Sequence, residues 1–191
     1  MKIGVLAAQG AFAEHLTVLG RLDVDAIPVR LPEQLSGLSG LIIPGGESTT
    51  ISKLMLAYGL LDRVKEMVDG GLPVFGTCAG MIMLAKNIVD GNGVQPLKLM
   101  DITVRRNAFG RQVDSFETEL QVKGLGDNPF PAIFIRAPLI EKVGGSVDVL
   151  AKLEDGTIVA AQQGKILACS FHPELTGDAR FHQYFLSLAT E

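Results

Sequence analysis

In the first half of this chain, short apolar runs alternate with segments whose apolar residues recur every three or four positions. Ile3-Gly4-Val5-Leu6-Ala7-Ala8 and Leu41-Ile42-Ile43 present no polar face, which is the habit of strands covered on both sides in a parallel sheet. The pattern predicts strands over 2–8, 24–29, 41–43 and 73–75 and helices over 13–22, 50–57, 61–69 and 78–86. Leu54, Ala57, Leu61 and Val64 keep helical spacing, as expected of helices laid on a sheet face. Together these elements predict an α/β architecture with a mostly parallel sheet.

The second half changes period. Residues 99–104 and 115–122 read as strands, with alternation clearest in Phe116, Thr118, Leu120 and Val122. Strands over 147–153 and 157–163 flank Glu154-Asp155-Gly156, whose Asp-Gly pair is a hairpin signal. Gln163-Gly164-Lys165 leads into a further strand over 166–171, so a small antiparallel meander should feed the core. Residues 178–188 read as a closing helix. With no repeat, low-complexity tract or linker among the 191 residues, a single domain over 1–191 is expected.

Composition narrows the class. A chain 47% hydrophobic and 20% charged buries a core rather than remaining disordered. A net charge of -4 and the lack of a dense basic cluster argue against nucleic acid as a partner. The apolar start, Met1 to Leu6, is too short for a membrane span and reads as a first core strand, so no membrane partner is expected. Two cysteines, Cys78 and Cys169, make no disulfide framework, which points to the reducing cytoplasm.

The candidate chemistry centres on Gly76-Thr77-Cys78-Ala79-Gly80. A strand runs into a cysteine between small residues, and a helix follows: the spacing of a nucleophile elbow. A helix N-terminus favours a thiolate, and the C-terminal ends of parallel strands are where open α/β sheets place their sites. The competing reading is a buried structural thiol. Cys169, mid-strand between Ala168 and Ser170 and without a glycine elbow, reads as core.

Ser170-Phe171-His172-Pro173-Glu174 supplies a partner. Pro173 biases His172 to extended backbone, in which residues two apart share a side, so Glu174 should reach the His172 ring. A carboxylate there holds the tautomer and supports the imidazolium. Alone, His-Pro-Glu is an ordinary surface turn; beside Cys78 it completes a Cys-His-Glu triad. His15 and His182 fall in amphipathic helices and are expected to be partly exposed.

Attack on a carbonyl also needs oxyanion donors. The Ala79 N–H is one, and the strand-to-glycine turn carrying Gly45 and Gly46 is the source of a second. Ser48 or Thr49 should cap the helix that follows. A plain strand–helix turn or a phosphate cradle is the alternative, although the Lys-Ser/Thr ending of a P-loop is absent. Arg105, Arg106 and Arg111 cluster near Phe109 and Gly110, and Arg136 ends an apolar strand. Arginines suit a carboxylate ligand, and isolated surface arginines are the bland alternative.

These strings resemble the class I, triad-type glutamine amidotransferases. Pro44-Gly45-Gly46-Glu47-Ser48-Thr49, the segment from Arg106 to Phe116, Phe134-Ile135-Arg136-Ala137-Pro138 and Ser170 to Leu175 are more narrowly similar to the glutaminase subunits of pyridoxal 5′-phosphate synthases. Ala108 stands where serine is expected, a deviation at no catalytic position. The resemblance implies a flavodoxin-like three-layer sandwich: a mostly parallel central sheet with a small antiparallel extension. It implies that Cys78 is the nucleophile, His172 the general base and acid, and Glu174 its orienter. Gly46, Glu47, Ser48, Arg106, Ile135 and Arg136 would bind L-glutamine, and Gln9 and Gly10 would belong to a docking surface. The implied partner is a (β/α)8-barrel synthase in a large hetero-oligomer that receives the ammonia. Thiolate, imidazole and N–H donors cover the steps without a metal or organic cofactor. Another cysteine hydrolase, a non-catalytic subunit on the same fold, and an amidotransferase serving a different acceptor are the rivals. The glutamine loop and the arginine strings weigh against the first, the complete triad against the second, and the strings from Arg106 to Phe116 and Phe134 to Pro138 against the third.

Overall fold

A computed structural model describes residues 1–106 and 115–190. The chain runs β1 (Lys2–Leu6), α1 (Phe12–Arg21), β2 (Asp25–Val29), β3 (Gly40–Ile43), α2 (Ser48–Ala57), α3 (Leu60–Asp69), β4 (Val74–Thr77), α4 (Ala79–Leu84) and β5 (Ala85–Val89). It continues through β6 (Met100–Arg105), β7 (Ser115–Leu120), β8 (Phe130–Ile135), β9 (Leu139–Val143), β10 (Asp148–Lys152), β11 (Ile158–Gln163), β12 (Ile166–Cys169) and α5 (Arg180–Leu188).

The main sheet has the order β2-β1-β3-β4-β12-β11-β9-β6-β5, with β10 also paired to β11. From β2 to β12 neighbouring strands are parallel, as the unbroken apolar runs require. β11, β9 and β6 continue it antiparallel, and β7 with β8 forms a separate antiparallel pair.

The period-two geometry of a strand divides its side chains between two cores. Ile3, Val5, Ile42 and Phe75 point to the face covered by α1 and α5, with Leu19, Phe181 and Phe185. Leu6, Leu41, Ile43 and Val74 point to the opposite face, covered by α2, α3 and α4, with Ile51, Leu61, Val64 and Met83. Phe75 lies 5.7 Å from Phe181 and 5.6 Å from Phe185, ring to ring. Burial of each such side chain stabilises the fold by about 1.5–3 kcal/mol. The result is the expected three-layer sandwich with its antiparallel extension. Among the described residues, no helix is long and apolar enough to cross a membrane.

One local expectation is corrected, and one strand was not anticipated. The helix expected over 78–86 ends at Leu84, and Ala85–Val89 pairs parallel with β6. Ala85 and Lys86 are good helix formers, but the ladder to β6 and the β-branched Ile88 and Val89 outweigh that preference. β9 has no strong signal of its own and is created by pairing with β6 and β11. The Asp-Gly hairpin forms as expected: Leu153 N–H donates to Thr157 O at 2.9 Å, with Gly156 at φ 87°. The segment 107–114, which includes Asn107 to Asp114 of the arginine string, lies outside the described residues.

Candidate active site

Cys78 sits at the C-terminal end of β4 with φ 50° and ψ -105°, a conformation that side-chain-bearing residues rarely adopt. Such strain costs on the order of 1–3 kcal/mol and persists where the surroundings over-determine it. Here Cys78 N–H donates to Cys169 O at 2.8 Å, and Gly76 and Gly80 let the turn close. A Cβ on Gly80 would lie 1.9 Å from Ile43 O, and one on Gly76 would lie 2.6 Å from the Gly80 carbonyl. The elbow expected from the spacing is therefore present in geometry.

β12 is the parallel neighbour of β4, with Cys169 opposite Thr77. Strands about 4.8 Å apart that end level deliver Cys78 and His172 to the same edge. His172 N–H is anchored to Ile133 O at 2.8 Å. Its Nδ1 lies 2.7 Å from Glu174 Oε1, the contact anticipated from the sequence. The route differs: Pro173–Leu175 is a short 3-10 turn rather than extended chain, and it folds Glu174 back beneath the ring. Glu174 is 4% exposed and His172 7%, so the pair is shielded from water.

Burial opposes a charged His172 ring, but hydrogen bonds to Cys78 and Glu174 and the charge of the same two groups outweigh it, raising the ring from 6.5 to about 10. A folded-state value above the unfolded one stabilises the fold fully below about pH 6.5; the contribution declines above that and is gone past about pH 10. Thermal stability of the wild type should therefore fall more steeply between pH 7 and 10 than that of His172→Gln. Parallel melting-temperature profiles for the two proteins would refute this assignment. Burial first, then Glu174 and Cys78, raise Cys169 well above its ordinary value, so this fully buried thiol is the core residue expected.

A cleft of about 480 Å³ opens over the dyad, within the 300–1,000 Å³ range of small-molecule sites. Its wall includes Gln9, Gly10, Gly45, Gly46, Glu47, Ser48, Cys78, Ala79, Arg106, Ile135, Arg136 and His172. Every residue expected at the site from the sequence thus lines one cavity, except Glu174, which lies behind His172. Ala11, Ile82, Pro138 and Leu175 complete the wall without having been anticipated.

Three details differ from expectation. The cap of α2 is Glu47 rather than Ser48 or Thr49: its carboxylate accepts from Thr49 N–H at 2.9 Å and Thr50 N–H at 2.7 Å. Partial burial works against the carboxylate, but the hydrogen bonds from Thr50 and Thr49 hold Glu47 at about 2. Arg106 lies 3.5 Å from the same carboxylate. Secondly, Gly45 N–H donates to Thr77 Oγ1 at 3.1 Å, so in this conformation it points away from an oxyanion. Among the described residues the N–H groups of Gly46 and Ala79 have no protein acceptor. Thirdly, His15 and His182 are fully buried, not exposed. His15 shares its helix face with Val18 and Leu19, and His182 shares its own with Phe185 and Leu186, a register that placed both rings on apolar stripes.

Gln9 and Gly10, expected on a docking surface, grip the glycine loop from the open side. Glu47 N–H donates to Gln9 Oε1 at 2.7 Å, and Ala11 N–H donates to Gly45 O at 3.0 Å.

A model of the SNO glutamine amidotransferase family matches residues 5–191. A Dehalococcoides mccartyi protein named pyridoxal 5′-phosphate synthase subunit PdxT is 62% identical over 190 residues, covering 99% of this chain and 97% of that protein. A Herpetosiphon aurantiacus protein of the same name is 63% identical over 190 residues, covering 98% of this chain and all of that one, 100%. A crystal structure of a glutamine amidotransferase superimposes with a TM-score of 0.94 at 53% identity, covering 99% of both chains.

Proposed function

Because this chain belongs to the SNO glutamine amidotransferase family, we propose that it hydrolyses L-glutamine to glutamate and ammonia and delivers the ammonia to a synthase subunit making pyridoxal 5′-phosphate. The observation that carries this reading is the convergence of Cys78 with the His172–Glu174 pair at the floor of one cleft. Residues 1–191 act as one glutaminase domain in the cytoplasm. The partner is a (β/α)8-barrel subunit within a large hetero-oligomer.

In this reading the Cys78 thiolate attacks the side-chain amide carbon, and the carbonyl oxygen becomes an oxyanion facing the N–H groups of Ala79 and Gly46. The His172 imidazolium, held by Glu174, gives its Nε2 proton to the departing ammonia. It then takes a proton from water, which attacks the glutamyl thioester through a second oxyanion and returns Cys78 as the leaving group. Arg106, Ile135, Arg136, Gly46, Glu47 and Ser48, which line the cleft, orient the amino-acid end of glutamine. An arginine matches its carboxylate and an acidic group its ammonium.

Ammonia is protonated in water at neutral pH, so its release is useful only where a partner takes it up. The Gly45-Gly46 turn is tied to Thr77 on one side and to Gln9 and Ala11 on the other. Docking on Gln9 and Gly10 therefore acts directly on the oxyanion loop and completes it. Glutamate release should rise at least tenfold when the barrel synthase is added, and the complete mixture with both sugar phosphates should form pyridoxal 5′-phosphate from glutamine. Equal glutamate release with and without the synthase would sink the activation step. Product from added ammonia but none from glutamine would overturn the pathway.

A further inference from the structure

Behind the triad, on the side away from the cleft, lie two fully buried histidines that this chemistry does not use: His15 on α1 and His182 on α5. Their rings meet, with His15 Nδ1 2.9 Å from His182 Nε2. The far edge of the His15 ring faces two oxygens, Thr77 Oγ1 at 3.2 Å and Glu174 Oε2 at 3.4 Å. Glu174 uses Oε1 for His172. Its Oε2 is buried and makes no hydrogen bond among the described residues, so the 3.4 Å approach of His15 Nε2 is its polar contact there.

Protonation follows from the surroundings. Burial, then His182 and His172, lower His15 well below 6.5; burial, then Arg21, lowers His182 to about 4. Both rings are neutral at pH 7, and each carries one N–H. Were the His15 proton on Nδ1, the bare Nε2 could accept from the Thr77 hydroxyl but would face the Glu174 carboxylate oxygen. The His182 proton would then sit on Nδ1, which is buried and has no acceptor among the described residues. With the His15 proton on Nε2, that N–H donates to Thr77 Oγ1 and lies beside Glu174 Oε2, and His182 Nε2–H donates to His15 Nδ1. Only an unprotonated His182 nitrogen is then left unpaired. Buried N–H groups without acceptors are rare, so the second arrangement is the stable one.

We propose that His15 is a positioning residue of the triad: its Nε2 edge, 3.4 Å from the outer oxygen of Glu174, favours the carboxylate orientation that keeps Oε1 on His172 Nδ1. Without that ring edge the carboxylate keeps a single anchor, His172, and its buried outer oxygen loses its polar neighbour. Rotation of the carboxylate relieves that loss at the expense of the His172 contact. His182 contributes by fixing the His15 tautomer. The same Thr77 oxygen that faces His15 receives the Gly45 N–H, so one buried imidazole adjoins both the triad carboxylate and the oxyanion loop. The inference rests on the glutaminase reading above.

The test compares His15→Gln with His15→Asn, both in complex with the barrel synthase. A glutamine amide nitrogen ends near the position of Nε2 and keeps a donor towards Glu174; an asparagine amide ends near Nδ1 and reaches only His182. His15→Asn should lose about 100-fold in kcat, with KM within about threefold, while His15→Gln stays within about tenfold of wild type. The His172 Nδ1–H proton resonance, which needs no turnover, should move upfield in His15→Asn and remain near the wild-type position in His15→Gln. Equal activity of the two variants, or equal loss that follows melting temperature with matching resonances, overturns the proposal. Wild-type protein that releases no glutamate beside the synthase refutes the glutaminase reading instead, and the resonance comparison still decides the positioning claim.

Discussion

Cys78→Ala should abolish glutamine-dependent product formation, with glutamate release beside the synthase falling by about 10⁴-fold or more. The variant removes one sulfur atom and leaves the turn, the oxyanion donors and His172 in place. Among the described residues no second thiol can take over, because Cys169 is fully buried in the core beneath α1 and α5. Product formed from added ammonia should be unchanged, because the synthase does its own chemistry. Glu174→Gln should fall less in the same assay, by about 10- to 100-fold less than Cys78→Ala, since the carboxylate orients rather than attacks. Glutamine-dependent product that survives in Cys78→Ala refutes the nucleophile assignment.

Gly45→Ala should cost about 100-fold or more in kcat for glutamine hydrolysis while leaving the fold intact. A Cβ at this position would stand 2.5 Å from His172 Cε1, 3.1 Å from its Nδ1 and 3.3 Å from Cys78 Cβ. The ring cannot yield freely, because Ile133 anchors its backbone and Glu174 its Nδ1. The loop cannot retreat freely either, because Gly45 O accepts from Ala11 N–H and Gly45 N–H donates to Thr77. One added methyl group thus separates the histidine from the cysteine or distorts the oxyanion loop, and a misplacement of about 1 Å at a reacting pair costs about 10² in rate. The variant should keep the wild-type circular dichroism spectrum. Wild-type turnover in Gly45→Ala would show that the loop is looser than these contacts require.

What was legible in the sequence was local. The elbow around Cys78, the His172-Pro173-Glu174 pairing and the strand–glycine–helix turn at Gly45 each depend on a few consecutive residues whose backbone demands are strong. Even there the details shifted. Glu174 reaches His172 through a 3-10 turn, and Glu47 takes the cap expected of Ser48 or Thr49, because a longer carboxylate reaches two N–H groups that a hydroxyl one position later cannot. β5 and β9 were not legible, since their stability lies in partners distant in sequence. His15 and His182 were misjudged because a polar residue on an amphipathic helix is usually exposed, and only the acceptors buried beneath them make an interior position tolerable.

Local sequence thus set the alternation of buried strands with covering helices and the elbow, histidine and carboxylate proposed as the triad. Both follow from period, turn chemistry and residue type within short windows. The tertiary structure decided which N–H groups remain free for an oxyanion, which carboxylate caps α2, and that two helices nearly the full chain apart bring His182 onto His15 and His15 to the back of Glu174. These outcomes depend on the order of strands in the sheet. The parallel pairing of β4 with β12 aligns Cys78 with His172, and closing α1 and α5 over the same face leaves His15 no water and one carboxylate to meet.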